Sequence, residues 1–321
     1  MVGKESRGTM VLIQAVEGVL TLIFMGLVGY VLAYKKWFTP ETTAIIPKLV
    51  NYVSLPLFLL YSLVHAFHRD ELIHLVYGAL VPLISMIICF GLSLFLGRLL
   101  HINKKHIGIF HAAFTTSNSI FIGLPVTLAL FGEKAIPYTL LYFFANTTFF
   151  WTIGNYALSG DSGQAKVKLF SRSTLKRIFS GPIIGFLTAV ILILLNIQLP
   201  DFILNAVQYL GNMTTPLALI LIGITLYGMN LKKIRLNRDL LWVLLGRFVI
   251  SPLSIMAVAY FIPIPVLMYK VFVIMASLPA MIQIVVLSSF YKTDTEYATV
   301  VVSASTLLSI VTIPIFMLLL S

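Results

Sequence analysis

The sequence predicts an all-α polytopic membrane protein of ten transmembrane helices, built as two inverted five-helix repeats. Three observations carry this reading. The chain is 59% hydrophobic and only 10% charged, whereas soluble domains carry roughly a quarter charged residues. Apolar runs of about twenty residues recur along it, each long enough to cross a hydrocarbon core of about 30 Å as a helix. Basic residues gather in alternate loops. The runs are long and unbroken, which excludes the short alternating strands of a β-barrel. Mean hydropathy is +1.00, so lipid is the low-energy solvent for this chain.

The spans are read at roughly 10–34, 45–67, 73–98, 107–131, 135–159, 179–197, 202–228, 240–261, 264–290 and 297–320. Lys4 and Arg7 precede the first. That stretch is too long for a signal peptide and lacks a small-residue cleavage site, so it is read as a span. Gly160-Asp161-Ser162-Gly163-Gln164 is a flexible linker signal. It divides the chain into a first repeat at 1–159, a linker at 160–178 and a second repeat at 179–321. The odd-numbered loops hold fifteen Lys and Arg, among them Lys35, Lys105, Arg172, Arg235 and Lys292, whereas the even-numbered ones hold only Arg69 and Lys134. Cytoplasmic loops are the basic ones, so the odd loops face the cytoplasm and both termini face outward. Five spans is an odd number, so the two halves enter the membrane in opposite senses, as inverted repeats require. The net charge of +11 is thereby a matter of topology rather than of nucleic-acid binding. Cys89, the only cysteine, lies in an apolar run and is read as a packing thiol. No cofactor or metal is expected.

The halves share punctuation. Span two contains Asn51-Tyr52-Val53-Ser54-Leu55-Pro56-Leu57, and span seven contains Asn212-Met213-Thr214-Thr215-Pro216-Leu217. Two spans later each half has breakers near mid-span: Ser117-Asn118-Ser119 followed by Gly123-Leu124-Pro125, and Ser277-Leu278-Pro279-Ala280. Helix breaks are therefore expected at Gly123 and Pro125 in span four and at Pro279 in span nine, with the depth of Ser117–Ser119 best matching Pro279. Proline removes an amide and disfavours helix at the residue before it. In lipid the freed groups must meet protein or a wet cavity. Two antiparallel broken helices meeting at mid-membrane would bring two inner N-termini, with free amides and partial positive charge, to one point. Pro279 suits the first position of such a half-helix. The spot favours an anion, and a carboxylate is the expected guest.

Polar residues gather on the same helices. His111, Thr115, Asn118 and Ile122 are spaced for one helical face. Asn118 leads as a binding residue because an unbonded amide in hydrocarbon costs several kcal/mol. The alternative for it is a helix–helix hydrogen bond. Asn146 in span five and Gln283, one turn past Pro279, join it. Thr299, Ser303 and Thr306 in span ten are read as a packing face. Charges inside spans are few and informative. Lys48 and Lys270 lie near span ends and can snorkel to the interface. Arg247, two turns inside span eight, has three readings: it holds a substrate carboxylate, it is a fixed counter-charge, or it snorkels. Glu17 is the only carboxylate inside a span away from the loops and is a proton-relay candidate, as is His111, because an unperturbed histidine can titrate near neutrality.

The segments Asn51–Leu57, Thr116–Pro125 ending at Phe131-Gly132, and Ser277–Ala280 give the chain a resemblance to the auxin efflux carrier family, in its bacterial-type, malate- and malonate-permease-like branch. The resemblance covers essentially the whole chain. It implies a ten-span fold related to that of bile-acid sodium symporters. Spans one, two, six and seven would form a scaffold, and the other six a core with crossed helices four and nine. It implies a substrate site at the crossing, on Ser117, Asn118, Pro279 and Ala280, and elevator-like movement of the core, often in a homodimer. Three departures stand out. Ser117 replaces the proline of plant members, Gln283 replaces an asparagine of many bacterial ones, and span three carries no Asp or Glu to transfer a proton or sodium site.

The resulting expectation is a carrier of small organic anions in the plasma (inner) membrane, with lipid as its surroundings and no nucleic-acid partner. A sodium- or proton-coupled symporter of the bile-acid type is the alternative within transport. An intramembrane enzyme or a receptor is the distant one. No His-Glu-x-x-His run is present, and Leu158-Ser159-Gly160-Asp161 lacks the first glycine of a Gly-x-Gly-Asp site.

Overall fold

The computed structural model describes residues 20–66, 77–160, 181–228 and 236–320. Among these residues every regular element is helical, and the single β feature is an isolated bridge. In chain order the first half has α1 (Leu20–Tyr34), α2 (Glu41–His65) and α3 (Leu80–Leu99). An interrupted helix follows, α4a (Ile107–Thr115) and α4b (Ser119–Phe131), then α5 (136–160). The second half has α6 (Gly181–Leu194), α7 (Asp201–Gly228) and α8 (Arg238–Phe261). A second interrupted helix follows, α9a (Val266–Ala276) and α9b (Gln283–Phe290), then α10 (Thr295–Leu320). These segments overlap the ten ranges read as spans. Helices α2, α3, α7, α8 and α10 are long and apolar enough to cross a membrane by themselves.

Local chemistry sets the ends. Asn237 caps α8 by accepting a hydrogen bond from the Leu240 amide at 2.8 Å, with Asp239 in the first turn where the helix end is positive. Asp294 accepts from the Tyr297 amide at 2.9 Å at the start of α10. Arg98 closes α3, where free carbonyls welcome a cation. Wide π-turns at Val50–Ser54, Ser119–Gly123 and Gly246–Ile250 each end two residues before a proline, Pro56, Pro125 and Pro252. A proline cannot donate to the carbonyl one turn back and its ring crowds that carbonyl. The wide turn relieves the crowding without breaking the helix.

Backbone approach fixes two of the helix pairs. A Cβ on Gly223 of α7 would collide with the Gly26 carbonyl and the Tyr30 amide of α1. A Cβ on Gly185 of α6 would collide with the backbone of Pro56 in α2. Around these pairs lies one apolar cluster, which includes Leu55, Leu59, Ala189, Ala218 and Leu221 and reaches Ile120 and Leu124 of α4b. A second cluster joins α4a, the start of α8, α9b and α10. A third joins α3, α5, the end of α8 and α9a.

The surface inverts the pattern of a soluble protein. Phe24, Phe95, Ile191, Tyr260, Phe261 and Leu319 are exposed, while Arg247, Asn118 and Asn146 are buried. Such an exterior is stable in hydrocarbon and not in water.

Candidate functional site

The two interruptions meet where the three apolar clusters adjoin. Helix α4a stops at Thr115 because Thr116 turns to extended backbone, φ −105° and ψ 143°. Asn118 is also non-helical, and winding resumes at Ser119. Helix α9a stops at Ala276, residues 277–282 are non-helical, and winding resumes at Gln283. The two loosened stretches run antiparallel. Ser117 and Ala280 form the isolated β-bridge, and the Asn118 amide donates to the Pro279 carbonyl at 2.9 Å. Each break thus satisfies part of the backbone freed by the other, which is what burial demands.

Side chains from neighbouring helices complete the pairing. Asn146 of α5 accepts from the Ser117 amide at 3.0 Å, and its Nδ2 donates to the Ser117 carbonyl at 2.9 Å and to Ser119 Oγ at 3.1 Å. Ser305 of α10 accepts from the Ala280 amide at 3.1 Å. One polar side chain from the next helix in each half therefore closes each break. Arg247 of α8 is fully buried and donates to three carbonyls: Ala276 at 2.6 Å, Leu278 at 3.2 Å and Phe114 at 3.3 Å.

Beside the junction lies a cavity of about 680 Å³. Its walls include Asn51 and Tyr52 of α2, Asn118, Ser119 and Ile120 at the start of α4b, Thr147 and Trp151 of α5, and Gln283 at the start of α9b. Two helix N-termini thus border one space. Asn118 is only 2% exposed, and its Nδ2 has no hydrogen-bond partner among the described residues. Gln283 Oε1 and Thr147 Oγ1 are likewise unpartnered. Among the described residues, those lining the cavity include no Lys, Arg, Asp or Glu. Such a lining offers hydrogen bonds and helix-end charge, with apolar walls from Phe143, Ile184, Met281 and Pro182.

The predicted residues sort into three places. Asn118 and Gln283 face the cavity. Ser117, Asn146, Pro279 and Ala280 are joined behind it by the hydrogen bonds above. Arg247 is held on carbonyls and does not line the cavity. Some local expectations need correction. The break in the fourth helix falls at 116–118, not at Gly123 or Pro125, which lie in uninterrupted winding. Pro125 follows a π-turn that accommodates it, and Gly123 makes room for the side chains of Met275 and Leu278. Pro279 does not open a half-helix; it stands in the extended stretch, where its carbonyl is the useful group. The face proposed for His111, Thr115, Asn118 and Ile122 is interrupted after Thr115. His111 lies between α3 and α4a, with Nδ1 3.0 Å from Ser93 Oγ and the rings of Phe90 and Phe110 against it, away from the cavity lining. Glu17 lies outside the described residues. Ser305, Tyr52 and Trp151 carry parts of the site that sequence reasoning did not assign. Ser305 stood one residue from the recognised polar stripe of span ten, and Tyr52 lay inside a motif read only as punctuation.

Residues 14–317 match the model of a family described as membrane transport protein, and the chain belongs to this family, that of the auxin efflux carriers. It is similar to an uncharacterized transporter of Methanothermobacter thermautotrophicus, 27% identical over 315 residues, which covers 96% of this chain and 99% of that one. It is also similar to an uncharacterized transporter of Methanocaldococcus jannaschii, 23% identical over 290 residues, covering 86% of this chain and 89% of that one. With its apolar exterior and several helices able to span a bilayer, the chain is a multi-pass membrane protein of a transport family.

Proposed function

We propose that the protein is a secondary transporter of small organic anions, and that it favours a single carboxylate on an apolar body. The observation that carries this reading is Asn118, whose Nδ2 is buried and has no partner among the described residues, in the wall of a cavity bordered by the N-termini of α4b and α9b. Each helix N-terminus supplies about half a positive charge, so two favour roughly one negative charge. A second carboxylate, as in malate, would meet neutral amides and hydrocarbon. A volume of about 680 Å³ suits a small-molecule ligand.

In this reading the two halves are inverted repeats, and the fourth and ninth helices cross at mid-membrane. Helices α1, α2, α6 and α7 form the frame against which the others slide as an elevator. The basic loops set the cytoplasmic side. Asn51, Tyr52, Trp151 and Gly181 lie in the cytoplasmic halves of their spans, so the cavity belongs to an inward-facing state. An inside-negative potential favours exit of an anion by about 2.3 kcal/mol per charge per 100 mV, so efflux needs no coupled ion.

Proteoliposomes loaded with radiolabelled indole-3-acetate or malate test the reading. Efflux of the aromatic monoanion, accelerated by a potential negative inside, is expected to exceed that of malate. Flux of neither, or flux that depends on a sodium gradient, would favour the symporter alternative or another substrate class.

A further inference from the structure

We infer that Arg247 is a built-in counter-cation: its guanidinium takes the place that an exchangeable metal ion would otherwise hold between the two helix breaks, so the transport cycle carries no metal cation there. This rests on the transporter reading above for its functional meaning, but its structural claim stands apart.

Helices α4a and α9a both finish at the junction, and a helix C-terminus presents free carbonyls and about half a negative charge. Two such ends bring roughly one negative charge into a buried space. Arg247 is 0% exposed and reaches both: Nη1 donates to Phe114 of α4a at 3.3 Å, and Nη2 to Ala276 of α9a at 2.6 Å. Its Nε donates to Leu278, inside the second break, at 3.2 Å. No carboxylate pairs with it among the described residues, where the ion pairs are those of His106 with Asp239 and Asp294. A buried charge without a partner is costly, so the helix ends are its partner. Carbonyl oxygens of two negative ends are also the ligand type a hard cation seeks. Here a permanently charged, planar donor occupies all three carbonyls. The Phe114 ring packs against Gly246, where any Cβ would collide with it, and this keeps α8 close enough for the arginine to reach.

The result is a division of charge at the junction. The C-terminal ends are neutralised from within by Arg247. The N-terminal ends, on the cavity side, remain for the guest.

The test uses the purified full chain in detergent and reads thermal unfolding in sodium, potassium and choline chloride at equal ionic strength. For the unmodified protein, Tm is expected to be the same in all three, with no stoichiometric binding of radioactive sodium. Arg247→Met removes the charge and exposes the three carbonyls. Its Tm is expected to fall by several degrees in choline and to recover in part in sodium. Arg247→Lys, which keeps a charge, is expected to stay insensitive to the choice of cation and serves if the methionine variant does not fold. Sodium-specific stabilisation or sodium binding by the unmodified protein would overturn the inference. So would an Arg247→Met protein with unchanged Tm in choline, or an Arg247→Lys protein that becomes sodium-dependent. None of these readouts uses transport, so absence of anion flux would sink the transporter reading while leaving this result to be judged by itself.

Discussion

The contacts between α1 and α7 and between α6 and α2 differ in kind from those at the junction. In the first set, glycine lets backbone touch backbone: Gly223 against Gly26 and Tyr30, Gly185 against Pro56. At the junction, glycine lets side chains in: Gly246 receives the Phe114 ring, and Gly123 receives Met275 and Leu278. Backbone contact has no rotamer to give way, whereas a methionine side chain can re-pack. In the transporter reading proposed above, the first region serves as a rigid frame and the second as a body that adapts around a guest. The polar groups divide in the same way. Asn146, Ser305 and Arg247 hold the breaks in shape, whereas the unpartnered groups of Asn118, Thr147 and Gln283 belong to residues that border the cavity.

Substitutions can break this contrast or sharpen it. The largest loss of stability is expected for Gly223→Ala, whose new methyl meets the Gly26 carbonyl and Tyr30 amide; about 3 kcal/mol or failure to fold is the expected cost of such overpacking. Next comes Asn146→Ala, which leaves the buried Ser117 amide and carbonyl without their side-chain partner, a loss of about 2 kcal/mol. Ser305→Ala removes one acceptor from the Ala280 amide and should cost about 1 kcal/mol. Gly123→Ala meets only the movable end of Met275 and the Leu278 side chain and should cost about 1 kcal/mol or less. Thermal unfolding of the four variants in one detergent ranks them. A Gly123→Ala protein less stable than Gly223→Ala would break the distinction between frame and adaptable body.

The apolar helices were legible because hydrocarbon demands long apolar runs, and the place where two interrupted helices meet was legible because Ser117-Asn118-Ser119 and Pro279 stand out as breakers within such runs. The partners at the junction were not. Asn146 and Ser305 bond to backbone amides, and Arg247 bonds to backbone carbonyls; a main-chain partner leaves no residue pattern to read. Pro125 misled for a related reason. A proline disrupts a helix only if the turn before it keeps α geometry, and the π-turn at Ser119–Gly123 removes that conflict. The cavity walls on α2 and α5 depend on which faces meet across the fold, which hydropathy alone does not encode.

The direct test of the central claim is Asn118→Ala, compared with the unmodified protein in the same preparation for both Tm and efflux of indole-3-acetate. The Nδ2 group makes no hydrogen bond among the described residues, so Tm should stay the same, while efflux should fall at least about tenfold, the equivalent of about 1.4 kcal/mol of lost anion contact. Unchanged efflux at unchanged Tm would contradict the account.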